Sequence, residues 1–248
     1  MKSIDLNCDL GEGAAHDEAL MALITSANIA CGEHAGDRDS MLKAVKQARF
    51  YEVAVGAHPG YANREHFGRR ELTLTPAEIF EMVRKQIASM QSIARELEVP
   101  LTHVKPHGAL YNQSAKDSTI AVAVAEAVRA VNGRLILFGL AGSELIAAGL
   151  RAGLPVASEV FADRTYRSDG RLIPRDHPQA LIADPVAVSR QVMSIVCDGV
   201  VMSLAGKAVS ITADTICLHG DGADPVGFAK QVRAALTRAG VELRRVSV

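Results

Sequence analysis

Seven short apolar segments, each followed by a stretch of helical character, recur along almost the whole chain. This alternation constrains the fold more than any other feature. The segments span 4–8, 27–31, 53–57, 101–105, 135–139, 156–161 and 215–219. Apolar runs of about four to eight residues bounded by turn signals read as strands, and strands alternating with helices read as a parallel sheet. Several are apolar enough to be covered by helices on at least one face, as parallel strands usually are.

The helices between them have definable ends. Thr75-Pro76-Ala77-Glu78 is a capping box with proline at the first helical position. Behind it Ile79, Met82, Val83, Ile87, Met90, Ile93, Ala94 and Leu97 recur every three or four residues, one apolar stripe for docking on a sheet. Asp184-Pro185 and Asp224-Pro225 repeat the cap-then-proline signal, while Asp37 and Asp117 precede two further helices. Gly153 followed by Pro155 closes a helix over 144–152. Seven strand–helix units favour an α/β architecture closed into a barrel over a doubly wound sheet. Two segments break the pattern: a hairpin-like stretch, 200–204 and 209–211, and one further strand candidate at 241–246. No linker or low-complexity run divides residues 1–248, so they read as a single domain, a size at which β/α barrels run undivided.

Composition removes several functional classes. Lys plus Arg number 27 and Asp plus Glu 28, so no bulk charge draws the chain to nucleic acid or an anionic membrane. No apolar run reaches roughly 18 residues, which excludes a membrane-spanning helix. The first residues turn acidic where a signal peptide needs its apolar stretch, and a cytoplasmic protein is expected. The four cysteines, at 8, 31, 197 and 217, form no C-x-x-C pair, against both a disulfide framework and a thiolate metal site.

The chemical signal is the placement of polar residues at strand ends. Period-two alternation puts Asp5, Asn7 and Asp9 on one face of the first strand. The same rule aligns His103, Lys105 and His107, then Glu159 with Asp163, and His219 with Asp221. Each set lies at or just beyond the carboxyl end of a strand, the edge where β/α barrels and open α/β sheets bind ligands. A lone acid or histidine after a strand is commonly a cap; four strands with the same feature indicate a shared site. Glycines 11, 13, 32, 36, 60, 108, 220 and 222 flank these ends. His16 and His177 lie in loop-like surroundings and receive no role. Familiar motifs fail: Gly11-Glu12-Gly13 and Gly220-Asp221-Gly222 lack the third glycine of a dinucleotide fingerprint. Gly206-Lys207-Ala208 lacks the rest of a phosphate loop, and no His-Glu-x-x-His or Gly-x-Ser-x-Gly is present.

Longer motifs run in order from Asp5 to beyond Asp221. They include Asp5-Leu6-Asn7-Cys8-Asp9-Leu10-Gly11-Glu12-Gly13, Ala27-Asn28-Ile29-Ala30-Cys31-Gly32, His34-Ala35-Gly36-Asp37 and Gly56-Ala57-His58-Pro59-Gly60-Tyr61. Phe67-Gly68-Arg69-Arg70, Val104-Lys105-Pro106-His107-Gly108, Glu159-Val160-Phe161-Ala162-Asp163-Arg164 and Cys217-Leu218-His219-Gly220-Asp221 continue the series. Together they resemble the LamB/YcsF family. The chain departs from the family pattern at Glu33, where an aromatic is usual, and at Ala62-Asn63, where Pro-Asp is usual.

The resemblance implies a distorted seven-stranded, TIM-like β/α barrel of the glycoside hydrolase/deacetylase type. It also implies one component of an ATP-hydrolysing 5-oxoprolinase, which opens 5-oxo-L-proline to L-glutamate together with partner subunits B and C. ATP is then used by the complex, since this chain carries no ATP motif. Hydrolysis of an activated lactam needs a base for water, an acid for the leaving group and cations for developing charge. Asp9, Glu12, His34, His58, His107 and Asp221 are the candidate proton handlers. Lys105 is the candidate for a phosphate or carboxylate, with Arg164 nominated by the motif alone. Asp5, Asn7, Asn28, Glu159, Asp163 and His219 complete the candidate substrate-binding set. Two other readings fit the same residues. One is a stand-alone deacetylase or amidohydrolase using a divalent metal on Asp9, His34, His58 and His219; the other is a non-catalytic component that presents a small acid to its partners.

Overall fold

In the computed structural model, which describes residues 2–218 and 224–247, the predicted alternation closes on itself. The chain runs β1 (Ser3–Leu10), α1 (Asp17–Met21), β2 (Ser26–Ala30), α2 (Arg38–Phe50), β3 (Ala54–His58), α3 (Pro76–Glu96) and β4 (Leu101–Val104). It continues through α4 (Gly108–Lys116), α5 (Ser118–Val131), β5 (Ile136–Leu140), α6 (Glu144–Arg151) and β6 (Val156–Phe161). Then follow α7 (Pro185–Met193), β7 (Val200–Met202), β8 (Ala208–Ser210), β9 (Thr215–Leu218), α8 (Pro225–Arg238) and β10 (Glu242–Leu243). Strands β1 to β6 pair in parallel in sequence order, and β9 pairs with both β6 and β1, which shuts a seven-stranded ring. The hairpin expected near 200–211 is β7–β8, antiparallel and outside the ring. The strand expected at 241–246 contracts to β10, two residues paired with Ser3 and Ile4 of β1.

Local chemistry accounts for the element ends. Thr75 accepts from the Glu78 N–H and Glu78 accepts from the Thr75 N–H, the reciprocal cap that starts α3. Asp37, Asp117, Asp184 and Asp224 each cap the helix that follows with a side-chain oxygen. β4 stops before Pro106, which has no N–H to give a ladder, although the Lys105 N–H still reaches the Ala57 carbonyl at 3.0 Å.

Two cores result from the strand alternation. Residues facing out, such as Leu6, Cys8, Ala27, Ile29, Val55, Ala57, Val104, Ile216 and Leu218, are buried under the helices. The barrel interior is different. Toward the amino ends of β5 and β6 it is apolar, a small separate cluster of Ile136, Phe138 and Ala157. Elsewhere it is a polar column of Asp5, Asn7, Ser26, Asn28, His103, Glu159 and Thr215, all buried. Gly56 makes one layer of that column possible. It stands between Asn28 and His103 in register. With no side chain there, the His103 ring crosses β3, bonds Asn28 Oδ1 at 2.9 Å and stacks on Phe138 at 4.4 Å.

Candidate active site

The polar column opens at the carboxyl ends of the strands into a cavity of about 600 Å³. Its floor is built from the ends of five strands and the turns after them. Asp9 comes from β1, Glu12 from the turn beyond it, His34 from the loop after β2, and His58 closes β3. Lys105 and His107 follow β4, where the chain stays extended long enough to aim both inward, His107 standing at the start of α4. Glu159 comes from β6 and is fully buried.

An ion network occupies the centre. Lys105 Nζ lies 2.9 Å from Asp9 Oδ1 and 2.9 Å from Glu159 Oε1, with Asn7 Oδ1 at 3.3 Å and Cys217 Sγ at 3.1 Å. Burial alone would lower the Lys105 pKa, but Asp9 and Glu159 outweigh it and hold the ammonium charged. Asn28 donates to both Asn7 Oδ1 and Asp9 Oδ1 at 2.8 Å, and Asn7 donates to Glu159 Oε1 at 2.9 Å. Burial raises the Cys217 thiol well above its usual range, so the sulfur beside Lys105 is a neutral thiol.

Beside this network stand three imidazoles and a carboxylate. Glu12 Oε1 lies 3.3 Å from His34 Nε2, 3.2 Å from His107 Nδ1 and 3.8 Å from His58 Nε2. Burial would raise the Glu12 pKa; the neighbouring imidazoles of His107, His34 and His58 outweigh it and bring it to about 2. Burial lowers His34 to about 4 and lowers His107 as well. His58 moves the other way, because Asp9, 3.4 Å from its Nε2, overcomes the cost of burial. Glu12, His34, His58 and His107 bring four ligand-type atoms within 4.8 Å of one another, a group able to hold a metal ion. Gly68, at φ +63°, leaves room for it: a Cβ there would press on His34 Cβ at 2.8 Å.

Each sequence candidate has a definite place. Asp9, Glu12, His34, His58, Lys105, His107 and Glu159 converge, with Asn7 and Asn28 directly beneath. Asp5 lies deeper in the barrel, four residues below Asp9 on the same strand and away from the cavity wall, where Thr25, Ser26 and Thr215 donate hydroxyl hydrogens to it. Arg164 is on the cavity wall, its guanidinium donating to the Ala180 and Ile173 carbonyls, while Asp163 is half-buried and off that wall. His219 and Asp221 lie outside the described residues. Of the metal candidates, His34 and His58 belong to the four-residue group and Asp9 adjoins it; Glu12 and His107 complete it. Glu33 is exposed and off the cavity wall. Asn63 accepts from the His66 N–H at 3.2 Å, capping a 3₁₀ turn over Arg64–His66.

Sequence reasoning passed over the cationic side of the cavity. Arg69, Arg167, Arg171 and Arg175 line it together with Arg164. Four of these arginines recur every three or four residues between 164 and 175, a spacing that reads as one face of a solvated helix. The segment forms no helix; it is an irregular excursion after β6, pinned by bridges such as Tyr166 to Leu172.

The chain belongs to the LamB/YcsF family, whose model matches residues 4–248. The 5-oxoprolinase A subunit of Tolumonas auensis is 49% identical over 98% of this chain and 99% of its own length. The lactam utilization protein of Thermus thermophilus superposes with a TM-score of 0.93 at 41% identity, covering 99% of this chain and 100% of that one. A peptidoglycan deacetylase of Bacillus subtilis shares the barrel at 13% identity and a TM-score of 0.50, covering 99% of this chain and 88% of its own.

Proposed function

We propose that this chain is the A subunit of a 5-oxoprolinase, acting with subunits B and C to open 5-oxo-L-proline to L-glutamate with hydrolysis of ATP. The observation that carries the reading is the full-length likeness to a relative of that name at 49% identity. The acids, imidazoles and ammonium on the cavity floor suit the chemistry. Residues 1–248 are read as one cytoplasmic domain. In support, strands from both ends of the chain stand side by side in the ring, and no described helix is long and apolar enough to cross a membrane.

A five-membered lactam is an unactivated amide, and ring closure competes with opening. Transfer of the terminal phosphoryl group of ATP to the amide oxygen releases ADP and makes the ring carbon electrophilic. Water adds to that carbon, the carbon–nitrogen bond breaks, and the nitrogen leaves as the amine with a proton. The acyl phosphate that remains takes a second water to give glutamate and phosphate. Phosphorylation falls to the partner subunits, because this sequence has no phosphate-cradling loop. Asp9 borders both the cavity and the buried network, its side chain 15% exposed. It takes the proton from water and returns it to the departing nitrogen. The arginine wall around Arg164 faces the phosphoryl group and the ring carboxylate, where fixed cations stabilise developing charge.

Glutamate, ADP and phosphate release from purified components test the reading. Neither this chain alone nor subunits B and C alone should turn over 5-oxoproline; the three together should, with ADP and glutamate formed in equal amounts. Asp9→Asn should cut that turnover by roughly 10²-fold or more. ATP hydrolysis by the isolated chain, or an intact mixture that leaves 5-oxoproline untouched, would overturn it.

A further inference from the structure

His58 and His107 meet nitrogen to nitrogen, His107 Nδ1 lying 2.9 Å from His58 Nε2. The outer nitrogen of each ring is already committed. His58 Nδ1 is 2.7 Å from the Lys105 carbonyl, and His107 Nε2 is 2.8 Å from the Phe67 carbonyl. A carbonyl only accepts, so each outer nitrogen carries a hydrogen. A neutral imidazole has one N–H, so when both rings are neutral the two inner nitrogens turn lone pairs on each other. Glu12 Oε1 adds a third electron-pair donor, 3.2 Å from His107 Nδ1 and 3.8 Å from His58 Nε2. Three such donors this close repel unless a positive centre sits among them.

We propose that Glu12 Oε1, His58 Nε2 and His107 Nδ1 are the ligands of a divalent transition-metal ion, of the zinc class, on the cavity floor. Donors bonded at about 2.05 Å stand about 2.9 Å apart at a right angle and about 3.3 Å apart at the tetrahedral angle. Two of the separations, 2.9 and 3.2 Å, fall in that range, and rotation of Glu12 toward His58 would bring the third, 3.8 Å, into it. Backbone carbonyls that fix the tautomer of ligating histidines are the usual support of such a site. The remaining coordination positions face the cavity, where an ion of this class polarises a carbonyl or acidifies water.

His34 is a neighbour of the ion and not a ligand. The His34 ring is stacked on that of His107, planes 6° apart and centroids 3.8 Å apart. Its nitrogen therefore points alongside the His107 nitrogen rather than toward an ion that His107 holds head-on. His34 instead orients Glu12 through its Nε2 at 3.3 Å. Asp9 Oδ1 is engaged by Lys105 and Asn28, while Asp9 Oδ2, 3.4 Å from His58 Nε2, borders the ion as a further oxygen donor. The assignment of the ion follows from the count of ring hydrogens and stands apart from the lactam reading.

The test is metal content and spectroscopy on the full chain, stripped with a chelator and then loaded separately with Zn²⁺ and Co²⁺. After desalting, the folded wild type should retain about one ion per chain, and the Co²⁺ form should show visible d–d bands. His58→Ala, His107→Ala and Glu12→Gln should each weaken Zn²⁺ affinity by more than about 100-fold. His34→Ala should keep the ion, with a loss of at most about 10–100-fold, the range for a supporting group. A folded wild type that retains no ion and gives no Co²⁺ bands overturns the proposal, leaving a proton shared between the two rings. Retention undiminished in a folded His58→Ala/His107→Ala chain overturns it too, as does loss in His34→Ala as complete as in His107→Ala.

Discussion

Replacing Lys105 by Met should destabilise the fold, because the ammonium is a structural counter-charge as well as a cavity residue. Its side chain is 2% exposed and holds Asp9 and Glu159 at 2.9 Å each. Methionine keeps much of the stem and removes the charge, so a fully buried Glu159 carboxylate and a largely buried Asp9 carboxylate face a thioether. Removing one partner of a buried pair costs about 3–5 kcal/mol. Water reaches Asp9, whose side chain is 15% exposed, which places the expected cost near the lower end. For a chain of this size each kcal/mol moves the melting temperature by about 2–4 °C, so a fall of about 6–12 °C is expected. Lys105→Met/Glu159→Gln removes the buried carboxylate along with its counter-charge and should regain about half of that loss. Scanning calorimetry of wild type, single and double variants at pH 7 checks both values. Repetition in 0.5 M salt should change the differences little, because buried pairs are poorly screened. A single variant melting within about 2 °C of wild type, or a double variant no more stable than the single, would refute the counter-charge account.

Three further perturbations probe the scaffold. Gly56→Ala builds a Cβ into the His103 ring, so a loss of about 1–3 kcal/mol or more is expected in denaturant unfolding; an unchanged midpoint would show that His103 does not cross β3. Thr75→Ala removes the α3 cap and should cost about 1 kcal/mol, measured the same way, with turnover per folded molecule unchanged. Burial holds His103 at about 3, below its ordinary 6.5, so the unfolded chain takes up its proton first as the pH falls. The associated stability is therefore complete above about pH 6.5 and lost progressively toward pH 3. Calorimetry between pH 6.5 and 5 should show proton uptake on unfolding, reduced in His103→Asn; an equal uptake in that variant would remove His103 as its source.

What the sequence determines here is whatever short-range chemistry encodes. Period-two alternation places Asp5, Asn7 and Asp9 on one face of β1, and the capping residues before α2, α3, α5, α7 and α8 are legible because each acts within three residues. The extended run around Pro106 aims Lys105 and His107 together for the same reason. Motif resemblance carries the family and the barrel. Tertiary structure decides the rest, because it depends on atoms far apart in the chain. Asn7 bonds Glu159 across 152 residues and Lys105 bonds Cys217 across 112, contacts set by ring closure and register rather than by any local pattern. Alternation on β1 treats Asp5 and Asp9 alike; depth in the barrel separates them, one satisfied by hydroxyls and the other facing the cavity. The metal-capable group likewise joins Glu12 and His107 to His34 and His58, residues that follow different strands. Which nitrogen of each ring is free is fixed by the Lys105 and Phe67 carbonyls, and no spacing in the sequence announces a backbone oxygen. The arginine wall is the converse case: a spacing that suggests a helix face, folded instead into an irregular loop whose backbone N–H groups of Thr165, Arg167 and Ile173 donate to the Ala180, Arg171 and Thr165 carbonyls and not along a helix axis.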